Sequence, residues 1–142
     1  MIIASTIARI LLGLMFLVAG IAPFIFAAPA QPGMAGIVNH ALYASHWMLF
    51  VGFVQVLIGI SFLSNLFVPV ALIMMAAFLY NSFAFHLTTS PMLLPMWFLV
   101  TVLWFLVALP YRALFAPIFA ARPAPFRDPA VDRSHLARSG QT

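Results

Sequence analysis

Four apolar runs, at about residues 2–26, 46–63, 67–85 and 92–109, occupy most of the first 109 residues. Each approaches the roughly 20 residues that a helix needs to cross a hydrocarbon core. In lipid a helix pairs each backbone N–H and C=O within its own segment, whereas an open strand leaves an edge unpaired. The fold predicted is therefore all-α: an integral membrane bundle of four transmembrane helices within residues 1–119. Turn chemistry falls at the breaks. "APAQPG" (28–33) ends the first run, "SNLFVP" (64–69) is a tight turn, "TTSP" (88–91) separates the third run from the fourth, and Pro110 closes the fourth.

Composition agrees. Hydrophobic residues make up 65% of the chain and charged residues 6%, against roughly 25% charged in a soluble domain. There is no Lys and no Glu, and the only acids are Asp128 and Asp132, so no carboxylate lies in the apolar part. The chain has no Cys, which excludes disulfide exchange and Cys-held metal or iron–sulfur centres within it. A net charge of +4 comes mostly from arginines beyond residue 120. A basic tail beside a membrane explains it without nucleic acid. Residues 120–142 carry several Pro and few large apolar residues and read as a basic, disordered cytoplasmic tail.

The first run has a rival reading as a cleaved leader, with a small-x-small site at Ala28 and Ala30. Its amino-terminal portion is itself mostly apolar, which makes it too long for such a leader and favours a span. Arg112, Arg122, Arg127, Arg133 and Arg138 follow the fourth run and Arg9 lies near the start, whereas the 29–45 and 86–91 connections have no cation. Both termini are then expected on the cytoplasmic side. Arg9, two turns into its helix, is expected to snorkel to the interface.

In that orientation His40, His46 and His86 share the outer face, with Asn81 and Ser82 in the same layer. Ser82 and His86 are four apart and share a helical face. Asn81 is rotated from His86 by about 140°. Three accounts of the histidines stay open: interfacial rings, like Trp47 and Trp97; a pocket in which His86 and Asn81 hold a quinone carbonyl or another amphipathic ligand; or a metal or haem on His46 and His86. The last lacks both a helical i, i+4 pair and a carboxylate to complete the sphere. Glycines recur at a spacing of seven, Gly13 with Gly20 and Gly52 with Gly59, and Gln55 shares a face with the second pair. They mark a helix-packing seam, with Gln55 bonding across it.

"ARILLGLMFLVAGIAPF" (8–24), "VGFVQVLIGISFL" (51–63), and "NSFAFHL" followed by "LPMWFLVTVLWFLVALPYRALFAPIF" (81–119) together resemble the DoxX-like family of small bacterial membrane proteins. The likeness is spread over nearly all of residues 8–119, and Arg9, Gln55, Asn81 and His86 are the positions that match. It implies a four-helix bundle in the bacterial inner membrane and, for some relatives, a place in quinone-linked redox complexes. Where relatives carry an acid in the second helix this chain has Gln55, which speaks against a proton-transfer role there. On these grounds the chain is expected to be a non-catalytic membrane subunit or anchor, in contact with lipid and with partner subunits or further copies of itself. A quinone-binding redox subunit is the alternative. A transporter ranks third, since no intramembrane carboxylate and no broken span is visible.

Overall fold

The computed structural model describes residues 2–119. Arg122 and Arg127, with the rest of the expected tail, lie outside the described residues. The described chain is helical throughout its elements: α1 (Ile2–Ile25), α2 (Gly33–Ala44), α3 (Trp47–Ser64), α4 (Val68–Thr89), α5 (Leu94–Ala108) and the short α6 (Arg112–Phe115), with 3-10 turns at Pro91–Leu93, Leu109–Tyr111 and Ala116–Phe119. Four segments are long and apolar enough to cross a membrane: Ile2–Ile25, Trp47–Ser64, Val68–Thr89 and Pro91–Ile118. The chain divides into two units, Met1–Arg112 and Ala113–Thr142. The first holds the bundle; the described part of the second ends in the 3-10 turn at Ala116–Phe119.

The bundle is organised on an antiparallel seam between α1 and α3, the most closely packed pair of helices. Glycine makes that approach. A Cβ built on Gly20 would lie 2.7 Å from the carbonyl oxygen of Gly52, and one on Gly59 would lie 2.9 Å from that of Gly13. Pairing 13 with 59 and 20 with 52 runs the helices in opposite directions, and the spacing of seven returns each glycine to the same face. Arg9 continues the register: its guanidinium donates to the Phe62 carbonyl in the last turn of α3. Leu12, Ile58, Phe62, Leu72, Met75 and Val107 are the most deeply buried side chains of the bundle.

A three-residue turn joins α3 to α4. Asn65 (φ 58°) ends α3 in the left-handed conformation, and Phe67 (φ 55°) adopts the same region although it is bulky. Asn tolerates that region and is a common helix terminator, and Pro69 follows where a missing N–H costs the new helix nothing. So short a connection makes α3 and α4 antiparallel neighbours.

Two indoles tie α5 to α4. The Trp97 Nε1–H donates to the Leu79 carbonyl at 2.9 Å, and the Trp104 Nε1–H donates to the Leu72 carbonyl at 3.0 Å. The acceptors descend as the donors ascend, so this pair is antiparallel as well. The four spans thus run up, down, up, down. Their outward faces are apolar: Val18, Phe53, Ile73 and Phe105 are each more than half exposed, and no polar or charged residue is fully buried among the described residues. Such a surface suits lipid and not water, as four helices long and apolar enough to cross a membrane require.

One element differs from the sequence reading. The connection at 29–45 contains α2, which packs on α3 and buries Ala35. Twelve residues are too few to span a bilayer, and the Gly, Asn and His among them hide the helical pattern.

Candidate ligand cleft between the spans

The polar end of α4 resolves into two sets of side chains. Thr88 and Thr89 turn back on their own helix and donate to the carbonyls of Ala84 (2.8 Å) and Phe85 (2.5 Å). Asn81 does the same, its Nδ2 donating to the Ala77 carbonyl at 2.8 Å from an exposed position. These groups satisfy themselves as a helix does where it leaves the apolar layer. Ser82 and His86 lie on the other face, half-buried, and point into the bundle.

There they border a cleft of about 130 Å³ to which all four spans contribute. Phe16 comes from α1, Gln55 from α3, Phe78, Ser82 and His86 from α4, and Trp97 from α5. Phe16 and Phe78 meet edge to face with ring centroids 5.3 Å apart. Trp97 is held on two sides, by its bond to Leu79 and by Phe83 at 4.6 Å between centroids. The apolar walls are thus fixed by aromatic packing, and three polar groups stand among them. By helix rise, Ser82 sits about 10 Å from the end of α4 and Gln55 about 12 Å from the start of α3. The cleft therefore reaches well below the helix ends.

Its polar side chains have no hydrogen-bond partners among the described residues. Among the described residues neither Gln55 nor Ser82 makes a side-chain hydrogen bond, and Nδ1 of His86 is buried with no partner. Gln55 is rooted beside the seam, where its Cβ lies 2.9 Å from the position of a Cβ on Gly20, but it also borders the cleft and among the described residues bonds no neighbouring helix. In an apolar layer an unpaired polar group costs about 1–3 kcal/mol by mutational measure. Three polar side chains without hydrogen bonds among the described residues border one space, an arrangement for something that enters it. An engineered cavity of about 150 Å³ takes benzene, so this cleft has the size of a single ring and not of a large ligand. The residues bordering it include no acid, Lys or Arg, which suits an uncharged head.

The sequence-derived site is therefore divided. His86 and Ser82 border the cleft, and Gln55, assigned from sequence to the packing seam, joins them. Asn81 faces away, as its rotation from His86 requires. His46 is exposed and starts α3 in the left-handed conformation (φ 61°) without reaching the cleft. Arg9 serves the end of α3, Arg112 is exposed at the end of the first unit, and no group of three His, Cys, Asp or Glu comes together among the described residues. The signal available in sequence for Gln55 was an amide in mid-span, where polar side chains are costly and mark partners or ligands. Comparison with protein-family models, with curated proteins and with solved structures finds no match for this chain.

Proposed function

We propose that this chain is a DoxX-like subunit of the bacterial inner membrane, with both termini cytoplasmic, that holds the head of an amphipathic, uncharged ligand of the quinone class between its spans and serves a larger redox complex. One observation carries the ligand-binding part: three polar side chains without hydrogen-bond partners among the described residues, Gln55, Ser82 and His86, border a ring-sized cleft with aromatic walls. The resemblance of residues 8–119 to DoxX-like proteins supports the quinone class and the redox setting. The arginine distribution supports the orientation.

The bundle supplies binding and not chemistry. Its cleft residues include no acid and no thiol, so electrons would pass between the ligand and centres on partner subunits. Lipid extraction of the protein purified in mild detergent tests the reading: quinone should be recovered at about one molecule per chain, well above its ratio to phospholipid in the source membrane. Recovery at the bulk-membrane ratio overturns it.

A further inference from the structure

The orphaned nitrogen of His86 says which form of such a ligand the cleft prefers. Nδ1 is shut away from solvent and lacks a partner, yet His86 borders the cleft. The ring edge that carries Nε2 is then the one left to address a ligand. A neutral imidazole has one N–H and one bare nitrogen. With the proton on Nε2, the buried Nδ1 keeps only a lone pair without a partner, which weak C–H contacts can soften. With the proton on Nδ1, a buried N–H is left with no acceptor, and orphaned N–H groups are the rarer of the two defects in folded proteins. The Nε2–H form is also the favoured neutral form of a histidine side chain in water. His86 is thereby held as a donor toward the cleft.

We infer that the cleft discriminates between the oxidised and reduced forms of a single-ring head group, binding a ring carbonyl in preference to the corresponding hydroxyl, with His86 as the discriminating residue. This rests on the ligand-binding reading above. A carbonyl oxygen accepts from Nε2–H directly. A phenolic hydroxyl in the same place has two options, both worse. It can donate to Nε2, which moves the imidazole proton onto the partnerless Nδ1. It can instead accept from Nε2–H, as a poorer acceptor than a carbonyl, while its own proton goes to Ser82 or Gln55. Ser82 and Gln55 do not discriminate, because a hydroxyl and a primary amide each offer both donor and acceptor. Exchanging a carbonyl for a weaker acceptor at Nε2–H corresponds to about a few-fold in affinity. A subunit with this bias would take up the oxidised ligand and release the reduced one.

Equilibrium dialysis of the full chain in detergent, under anaerobic conditions, against a short-tailed para-benzoquinone and its hydroquinone tests the inference. The benzoquinone should bind about three- to fivefold tighter. In His86→Gln, where the amide can present either a donor or an acceptor, that ratio should fall to near one. Nitrogen NMR of histidine-labelled wild type checks the cause without a variant: His86 should show Nε2 protonated and Nδ1 bare. Equal affinities in wild type, a ratio unchanged in the variant, or an Nδ1-protonated ring each overturn the inference while leaving the binding site in place. If neither probe binds saturably, the ligand-binding reading itself fails and the discrimination with it.

Discussion

Arg9 of α1 donates a hydrogen bond to the main-chain carbonyl of Phe62 in the last turn of α3. The last four carbonyls of a helix have no partner within it, and the partial negative charge at a helix end favours a cation there. Nearby, the Ser64 hydroxyl donates to the Ile60 carbonyl at 2.7 Å. Of these end carbonyls, that of Phe62 is thus satisfied by an arginine from the opposite helix of the seam.

Arg9→Met keeps the apolar stem and removes the charge-assisted bond, so a loss of about 1.5–3 kcal/mol is expected. Arg9→Lys should recover part of it. Thermal unfolding in a fixed detergent ranks the three proteins. Equal midpoints for wild type and Arg9→Met would assign the arginine to the interface alone.

The glycines of the seam are not equivalent. A Cβ on Gly52 would lie 2.5 Å from the Gly20 carbonyl oxygen, and one on Gly59 would lie 2.7 Å from the Leu17 main-chain nitrogen. Backbone cannot swing aside. A Cβ on Gly13 meets first the Leu63 side chain, at 2.8 Å, which can change rotamer. Gly52→Ala and Gly59→Ala should each cost about 1–3 kcal/mol through overpacking, and Gly13→Ala clearly less. Accumulation in membranes and unfolding midpoints should follow that order, and a Gly13→Ala defect as large as the others would count against the seam register.

Trp97 and Trp104 make the same bond one heptad apart, but only Trp97 borders the cleft. Each Trp→Phe change removes a neutral hydrogen bond worth about 0.5–1.5 kcal/mol. The stability losses should therefore be similar, whereas Trp97→Phe alone should weaken ligand binding, because it also shifts a wall. Matching effects on binding would mean that both act only through the α4–α5 contact.

The spans were legible in the sequence because their length is imposed by the bilayer and their ends by turn residues. The Pro in "TTSP" was seen, but Thr88 and Thr89 remain helical, since each can bond back to its own helix. The glycine spacing was legible too, as was the divergence of Asn81 from His86, for both follow from helical geometry within one segment. The meeting of Gln55 with His86 was not. A sequence shows rotation along a helix but not how α3 and α4 sit against each other, which decides whether Gln55 and His86 border one cleft. The helix at Gly33–Ala44 stayed hidden for a different reason: its single buried residue, Ala35, gives the pattern too little contrast.

The proposed orientation is tested by reporter fusions. Fusions after Leu66 and Arg122 should report the cytoplasm, and fusions after Gly33 and Ser90 the periplasm. The up, down, up, down course of the spans requires Gly33 and Ser90 to share a side. Opposite signals at these two positions would contradict the fold, whereas a uniform reversal would contradict only the argument from arginine.

The cleft assigns different fates to polar residues that the sequence placed in one layer. Gln55→Leu and Ser82→Ala remove groups that face the ligand, and each should lower bound quinone per chain. A lost neutral hydrogen bond of about 0.5–1.5 kcal/mol corresponds to a two- to tenfold drop in affinity. Asn81→Ala, which removes only a bond from Asn81 to its own helix, and His46→Phe, at the exposed start of α3, should leave quinone recovery unchanged. Recovery is measured beside the unfolding midpoint, so that a destabilised bundle is not mistaken for an emptied one. If Asn81→Ala empties the protein while Gln55→Leu does not, the ligand lies on the outer face of α4 and not between the spans.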